Sequence, residues 1–326
     1  MRDTYRREIN YLRVSVTDKC NLRCIYCLPP EGVKSIPHDE ILRDEEFEAI
    51  VRAAALVGIR KIRLTGGEPL VRRGVEDLVR RFANIPGIDD ITLTTNGILL
   101  PDHAAALKEA GVKRVNISLD TLKDDRYREV TRGGSLASAW KGIQAALDAG
   151  LHPVKLNTVV VRDFNDDEVE SMARLTKKRP LHIRFIELMP IGTCNKWTEG
   201  RFVPAGEILD RINRRVGRLH PAKMAEGDGP AKYYRFEGAL GTVGFITSMS
   251  EHFCENCNRL RLTSSGGLRP CLYDAREIDL KTPLRRGAGD REIADLIMEA
   301  VDLKPDRHHM DEGWTDKKRV MSQIGG

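Results

Sequence analysis

With 326 residues, 41% of them hydrophobic and 31% charged, and a net charge of +5, the chain has the composition of a globular enzyme and the length to bury a sizeable core. No apolar run approaches the roughly 20 residues that cross a bilayer. Met1 to Glu8 has no apolar stretch behind its positive charges, so neither a membrane protein nor an export signal is expected, and the chain reads as cytoplasmic. Aromatics make up 6% and are not interleaved with a dense Lys/Arg tract, which argues against nucleic acid. Seven cysteines, an odd number, are too few for a disulfide scaffold and read as thiols available to metal.

In chain order, residues 11–190 alternate short β-branched runs with longer amphipathic ones, the pattern of repeated βα units around a parallel sheet. Strands are expected at 12–16, 61–64, 91–93, 115–119, 154–160 and 182–186, and helices at 44–57, 75–82, 102–110, 139–149 and 166–177. Asn165 and Glu168 have the spacing of a capping box for the last helix. Gly58, Gly111 and Gly150 each end a helical run. Polar residues gather just past the strand ends: Cys20, then Thr65-Gly66-Gly67-Glu68-Pro69, Thr94 to Gly97, Ser118 with Asp120, and Glu187 with Met189, while Lys155 and Asn157 lie on the fifth strand. Six such ends forming one rim favour a barrel-like sheet over a single switch-point crevice. Past residue 190 the rhythm changes to one helix at 204–216, a Gly- and Pro-containing break at 226–230, and a hairpin of 233–236 with 243–246.

Two constellations carry chemistry. Cys20, Cys24 and Cys27 come from one loop after the first strand, with gaps of three and two residues. Three local thiolates can hold an iron–sulfur cube while leaving one iron open, and an open position marks a reactive site. A structural zinc wants a fourth ligand, which this loop does not offer. The second set is Cys254, Cys257 and, thirteen residues on, Cys271, directly followed after Cys257 by Arg259, Leu260 and Arg261. A second cluster, a zinc site completed by His252 or Cys194, and a set of thiols without metal all fit that spacing, and His308 and His309 receive no ligand role. Gly66 and Gly67 allow close backbone approach to a ligand or make only a tight turn, and Glu68 can accept hydrogen bonds. The stretch is neither a dinucleotide fingerprint nor a P-loop. Arg13, Arg63 and Lys155 sit on otherwise apolar strands, so they either turn outward or are held for an anion.

With Tyr26 inside Cys20-x3-Cys24-x2-Cys27 and Gly-Gly-Glu-Pro at the next strand end, the chain resembles the radical S-adenosylmethionine enzymes. The second trio with its two arginines, and the closing Gly325-Gly326, narrow the resemblance to the GTP 3′,8-cyclase family of molybdenum cofactor biosynthesis, over essentially the whole chain. That resemblance implies a partial (β/α)6 TIM-like barrel over residues 1–190. It also implies an α+β extension over 191–326 that carries the second cluster and closes the barrel mouth. The cofactors implied are two [4Fe–4S] clusters, on Cys20, Cys24 and Cys27 and on Cys254, Cys257 and Cys271, with S-adenosylmethionine held by Tyr26, Gly67, Ser118 and Met189. GTP falls to Arg13, Arg63, Thr94, Lys155, Arg259, Leu260 and Arg261, while Arg259, Arg261 and the Gly325-Gly326 tail serve the reaction. In that reaction a 5′-deoxyadenosyl radical removes the ribose 3′ hydrogen and C3′ closes on guanine C8. The implied partners are an external one-electron reductant, cyclic pyranopterin monophosphate synthase as the user of the product, and a second copy in a homodimer. Another two-cluster radical enzyme, such as a peptide-modifying maturase, and a non-catalytic zinc-binding protein stand as alternatives.

Overall fold

Six strands run in one direction through the first part of the chain: β1 (Tyr11–Ser15), β2 (Lys61–Thr65), β3 (Asp90–Thr95), β4 (Arg114–Ser118), β5 (Val154–Val160) and β6 (Leu181–Glu187). The computed structural model describes residues 1–29, 31–32, 36–190, 199–223, 229–309 and 320–324. Between the strands lie α1 (Asp44–Leu56), α2 (Val75–Ala83), α3 (Leu100–Ala110), α4 (Asp124–Thr131), α5 (Leu136–Asp148) and α6 (Val169–Lys178). All except α4 fall within a few residues of expectation. α4 buries only Tyr127, Val130 and Thr131, too short an apolar face for periodicity to reveal. Gly58, Gly111 and Gly150 do take left-handed φ values of 99°, 116° and 70°.

The expected capping box at Asn165 does not form. The Asn165 amide instead donates to the carbonyls of Asp120 and Val159 and its oxygen accepts from Val161 N–H. Glu168 turns the other way, accepting from Thr121 Oγ1 and Leu122 N–H, each at 2.7 Å. Both side chains pin the loop after β4 to the end of β5, a tertiary use that outbids the local one.

The later strands are β7 (His220–Pro221), β8 (Lys232–Arg235), β9 (Thr242–Ile246), β10 (Arg259–Leu262), β11 (Gly267–Arg269) and β12 (Ile278–Asp279). β8 and β9 pair antiparallel, as the hairpin expectation had it. The sheet does not stop at residue 190: its order is β12-β11-β10-β1-β2-β3-β4-β5-β6-β9-β8-β7. β9 joins β6 in parallel and β10 joins β1 in parallel, so the chain after β6 supplies strands to both flanks of the six. The result is a parallel-rich α/β sheet open at β12 and β7, the partial-barrel form.

Along each parallel strand the apolar set faces the helices. Leu12, Val14, Ile62, Leu64, Ile91, Leu93, Leu156, Ile183, Leu260 and Leu262 all belong to one buried core. The alternate set, including Arg13, Arg63, Asn157, Arg184, Arg259 and Arg261, faces inward. A strand buried on both faces normally reads as continuous hydrophobics. Here the period of two survives because the inner face lines a polar cavity.

Candidate active site

The first cysteine loop leaves β1 and is held against the β2 loop by main-chain bonds. Val16 N–H reaches Thr65 O at 3.0 Å, Gly67 N–H reaches Thr17 O at 2.8 Å, and Glu68 N–H reaches Lys19 O at 2.8 Å. A Cβ on Gly66 would stand 2.7 Å from Thr17 O, and one on Gly67 would overlap the Lys19 carbonyl. The close approach these glycines permit is therefore to the cysteine loop's own backbone. Further on, Arg23 and Ile25 N–H bind the carbonyls of Thr131 and Val130 at the end of α4, and Cys27 and Leu28 N–H both donate to Cys24 O at 3.0 Å. Leu22 N–H points at Cys20 Sγ, 3.4 Å away. Burial pushes the Cys20 and Cys24 thiols up, Cys24 the more so with Cys27 and Asp120 beside it. Three half-buried thiols on one loop, with a backbone N–H already aimed at one sulfur, fit a cubane cluster's donor set.

Beside this loop the rim carries carboxylates. Glu68 is buried, and its carboxyl is pushed up to about 7 by that burial while Thr95 Oγ1, Leu70 N–H and Asn96 N–H donate to it. Asp120 is likewise lifted to about 6 by burial, accepting from Tyr26 Oη and from Val159 N–H at 2.9 Å. Tyr26, Gly67, Ser118 and Met189 all line the cavity.

The second cysteine set approaches from the other end of the strands, just ahead of β10 and beside the start of β1. Cys257 N–H closes a tight turn on Cys254 O at 3.0 Å. Arg7 clamps that turn from the N-terminal segment, reaching Cys254 O at 2.9 Å, Asp306 O at 2.8 Å and Pro305 O at 2.6 Å. Buried Lys304 ties the two halves of the set together by donating to Arg259 O and Pro270 O, each at 2.8 Å. Burial alone would lift the Cys257 thiol, but Arg259 and Lys304 override it and bring it down to about 6. The Arg259 guanidinium lies 5.1 Å over the Phe253 ring. Three thiols in a cationic setting, one of them already a thiolate at neutral pH, also suit an iron–sulfur core.

Cys20, Cys24, Cys27, Cys254, Cys257 and Cys271 all line one cavity of about 340 Å³, within the range of ligand pockets. Its wall carries a layer of cations set by strand register: Arg13 stands between Arg261 on β10 and Arg63 on β2. Burial, and then like charge from Arg261, holds Arg13 well below its ordinary value, and Arg63 and Arg261 are lowered by burial too, Arg261 to about 10. Lys155 sits a layer below the cavity lining and is brought down to about 7, first by burial and then by Arg184, Arg114 and Arg63. Tyr11 Oη is buried, lines the same cavity and has no hydrogen-bond partner among the described residues. A wall of mutually repelling buried cations beside an orphaned hydroxyl is built to meet an anion.

Thus Arg13, Arg63 and Lys155 face inward, not outward, and Thr94, Arg259 and Arg261 line the cavity. Leu260 does not: its side chain is in the apolar core, so only its main chain can meet a ligand. Gly325, Gly326 and Cys194 lie outside the described residues, though Met321 and Ser322 reach the cavity. Arg184 was missed, although it shows the same signal as Arg63, a cation between apolar neighbours on a strand. Lys304 had no local signal. His308, to which the sequence gives no ligand role, lines the cavity, and its ring packs edge-on to His252, 4.4 Å between centroids.

Residues 14–176 match the family model described as the Radical SAM superfamily, and residues 181–310 match the one described as Molybdenum Cofactor Synthesis C. The chain is 73% identical to a GTP 3′,8-cyclase of Pelotomaculum thermopropionicum, 57% to one of Desulforamulus reducens and 59% to one of Moorella thermoacetica, covering 100% of both chains each time. Among solved structures, Streptococcus suis SuiB bound to its precursor peptide SuiA is similar with a TM-score of 0.60 at 16% identity, over 94% of this chain and 76% of that one. The structure of anSMEcpe with bound AdoMet gives 0.58 at 16%, over 92% and 82%. These two likenesses concern the fold alone.

Proposed function

The chain belongs to the GTP 3′,8-cyclase family of radical S-adenosylmethionine lyases, and we propose that it works with two iron–sulfur clusters facing one GTP pocket. As a member of that family it catalyses the first step of molybdenum cofactor biosynthesis, the cyclisation of GTP to 3′,8-cyclo-7,8-dihydro-GTP. The observation that carries the two-cluster reading is that both cysteine trios line a single cavity with a cationic wall.

Cys20, Cys24 and Cys27 would hold the first [4Fe–4S] cluster and Cys254, Cys257 and Cys271 the second. Held there with S-adenosylmethionine and given an electron, the first cluster would supply the one-electron chemistry that starts the reaction. The chain's own part is placement. Tyr26, Gly67, Ser118 and Met189 hold S-adenosylmethionine at the rim. Arg13, Arg63, Arg261 and Arg184 meet the triphosphate with guanidinium forks, which suit phosphate oxygens. Lys155 adds charge from below, Thr94 a hydroxyl, Arg259 and the Leu260 main chain further contacts. Holding the ribose between the two trios is what lets one hydrogen be taken and one ring be closed without release to water.

The tail ending in Gly325-Gly326 is proposed to enter the cavity beside Met321 and Ser322. The rest of the proposal comprises an external one-electron reductant, delivery of the product to cyclic pyranopterin monophosphate synthase, a homodimer and a cytoplasmic setting; none of the described helices is long and apolar enough to cross a membrane. The deciding experiment is an anaerobic incubation of the iron-loaded chain with GTP, S-adenosylmethionine and a reductant. 5′-Deoxyadenosine and the cyclised nucleotide should appear together. Deoxyadenosine without any cyclised product would overturn the reading.

A further inference from the structure

We propose that His252, Cys254 and His308 form a binding site for one divalent transition-metal ion, zinc in particular, whose occupancy excludes the second cluster because both need the Cys254 thiolate. Among the described residues this is the group of three metal-binding side chains whose donor atoms all lie within 4.8 Å of one another. His252 Nδ1 stands 3.0 Å from His308 Nε2. A tetrahedral zinc with bonds of about 2.0–2.3 Å separates its donors by roughly 3.3–3.7 Å, so closing this set on an ion needs only small side-chain shifts. Two imidazoles and one thiolate match the preference of zinc, and a fourth position is left to water.

The surroundings are those of a built site. The His308 ring is buried and packs against Tyr273, 5.8 Å between centroids, and its Nε2 is 2.8 Å from Ser248 O. An ion taken by Nε2 would displace this carbonyl contact, and the ring would then be held by its packing on Tyr273. The Cys254 turn is clamped by Arg7 through the carbonyl of Cys254 itself, at 2.9 Å. His252 is exposed and gives the ion a way in. Binding would release the Cys254 thiol proton and replace the His252–His308 contact with two metal–nitrogen bonds.

The exclusivity rests on the second-cluster reading above, whereas the zinc site itself does not. The first test therefore uses zinc alone on the cluster-free, reduced full-length chain carrying Cys20→Ala, Cys24→Ala and Cys27→Ala, titrated against a chromophoric chelator. One tight zinc is expected. Its affinity should fall at least tenfold on adding His252→Asn, an exposed position that does not threaten the fold, and likewise on adding His308→Gln, while Cys257→Ser with Cys271→Ser leaves it in place. Affinity unmoved by His252→Asn, or abolished by the Cys257/Cys271 pair, overturns the site. The second test loads one zinc per chain before iron and sulfide. The unmodified chain should then take up about four irons where the zinc-free chain takes about eight, and His252→Asn should restore about eight. Eight irons taken up with zinc retained overturns the exclusivity. Four in the zinc-free chain overturns the second-cluster reading instead, with the zinc titration still standing.

Discussion

The two cysteine trios face one cavity but sit in opposite electrostatic surroundings. The first lies among carboxyls, with Glu68 and Asp120 lifted by burial and the Cys20 and Cys24 thiols pushed up with them. The second lies among cations, where Arg259 and Lys304 pull Cys257 down to about 6 despite its burial. The division suits two ligands. A cationic sulfonium with an ammonium group is at home beside carboxyls, and a nucleotide triphosphate beside guanidinium groups. The loops are also held differently. The first is laid against its neighbour by backbone bonds that only glycine admits, the second by two long cations reaching carbonyls from distant parts of the chain.

Four substitutions probe this difference between the two trios, the largest effect first. Cys257→Ala should abolish cyclisation and lower the iron content of the reconstituted chain from about eight to about four per chain, measured by iron analysis with electron paramagnetic resonance; retention of eight would mean that the two trios are not separate cages. Arg259→Ala should cut GTP turnover by on the order of 30-fold or more, about 2 kcal/mol for one member of a buried charged contact, while S-adenosylmethionine cleavage persists uncoupled. In the cluster-free chain the same change removes the charge that holds Cys257 as a thiolate. Its alkylation at pH 7 should slow and its pH midpoint should move up from about 6.

Gly67→Ala should destabilise the chain by about 1–3 kcal/mol in a denaturant titration and weaken iron retention at the first trio only, since the added methyl overlaps the Lys19 carbonyl. The smallest effect is a proton count. The Lys155 amine, at about 7 because of burial and neighbouring arginines, is mostly neutral at pH 8. A triphosphate favours its charged form, so GTP binding should take up as much as about one proton between pH 7 and 9, read by calorimetry in buffers of different ionisation enthalpy. Lys155→Met should remove that uptake, and an uptake that survives the substitution would assign it elsewhere.

Each trio's internal spacing is a local property, and so are the glycines beside the first loop, the helix-ending glycines and the strand-to-helix rhythm of the first 190 residues. All of these were legible along the chain. α4 was not, because eight residues with two large apolar side chains carry no period. The capping expectation at Asn165 failed because a short polar side chain bonds whatever the fold brings near, here the carbonyls of Asp120 and Val159. Leu260 reads as one of a run with Arg259 and Arg261, yet alternation along a strand sends it to the opposite face.

By itself the sequence determined which residues could hold a cluster and that cations stood on otherwise apolar strands, since both are matters of residue type and short-range spacing. The tertiary structure alone decided that β10 lies beside β1, almost 250 residues away in the chain, and with it that the second trio meets the first, that Arg261, Arg13 and Arg63 form one inward layer, and that His308 comes to rest near Cys254. Register sets which face of a strand looks inward, and register between distant strands is fixed by the packing of the whole sheet against its helices, which no local window contains.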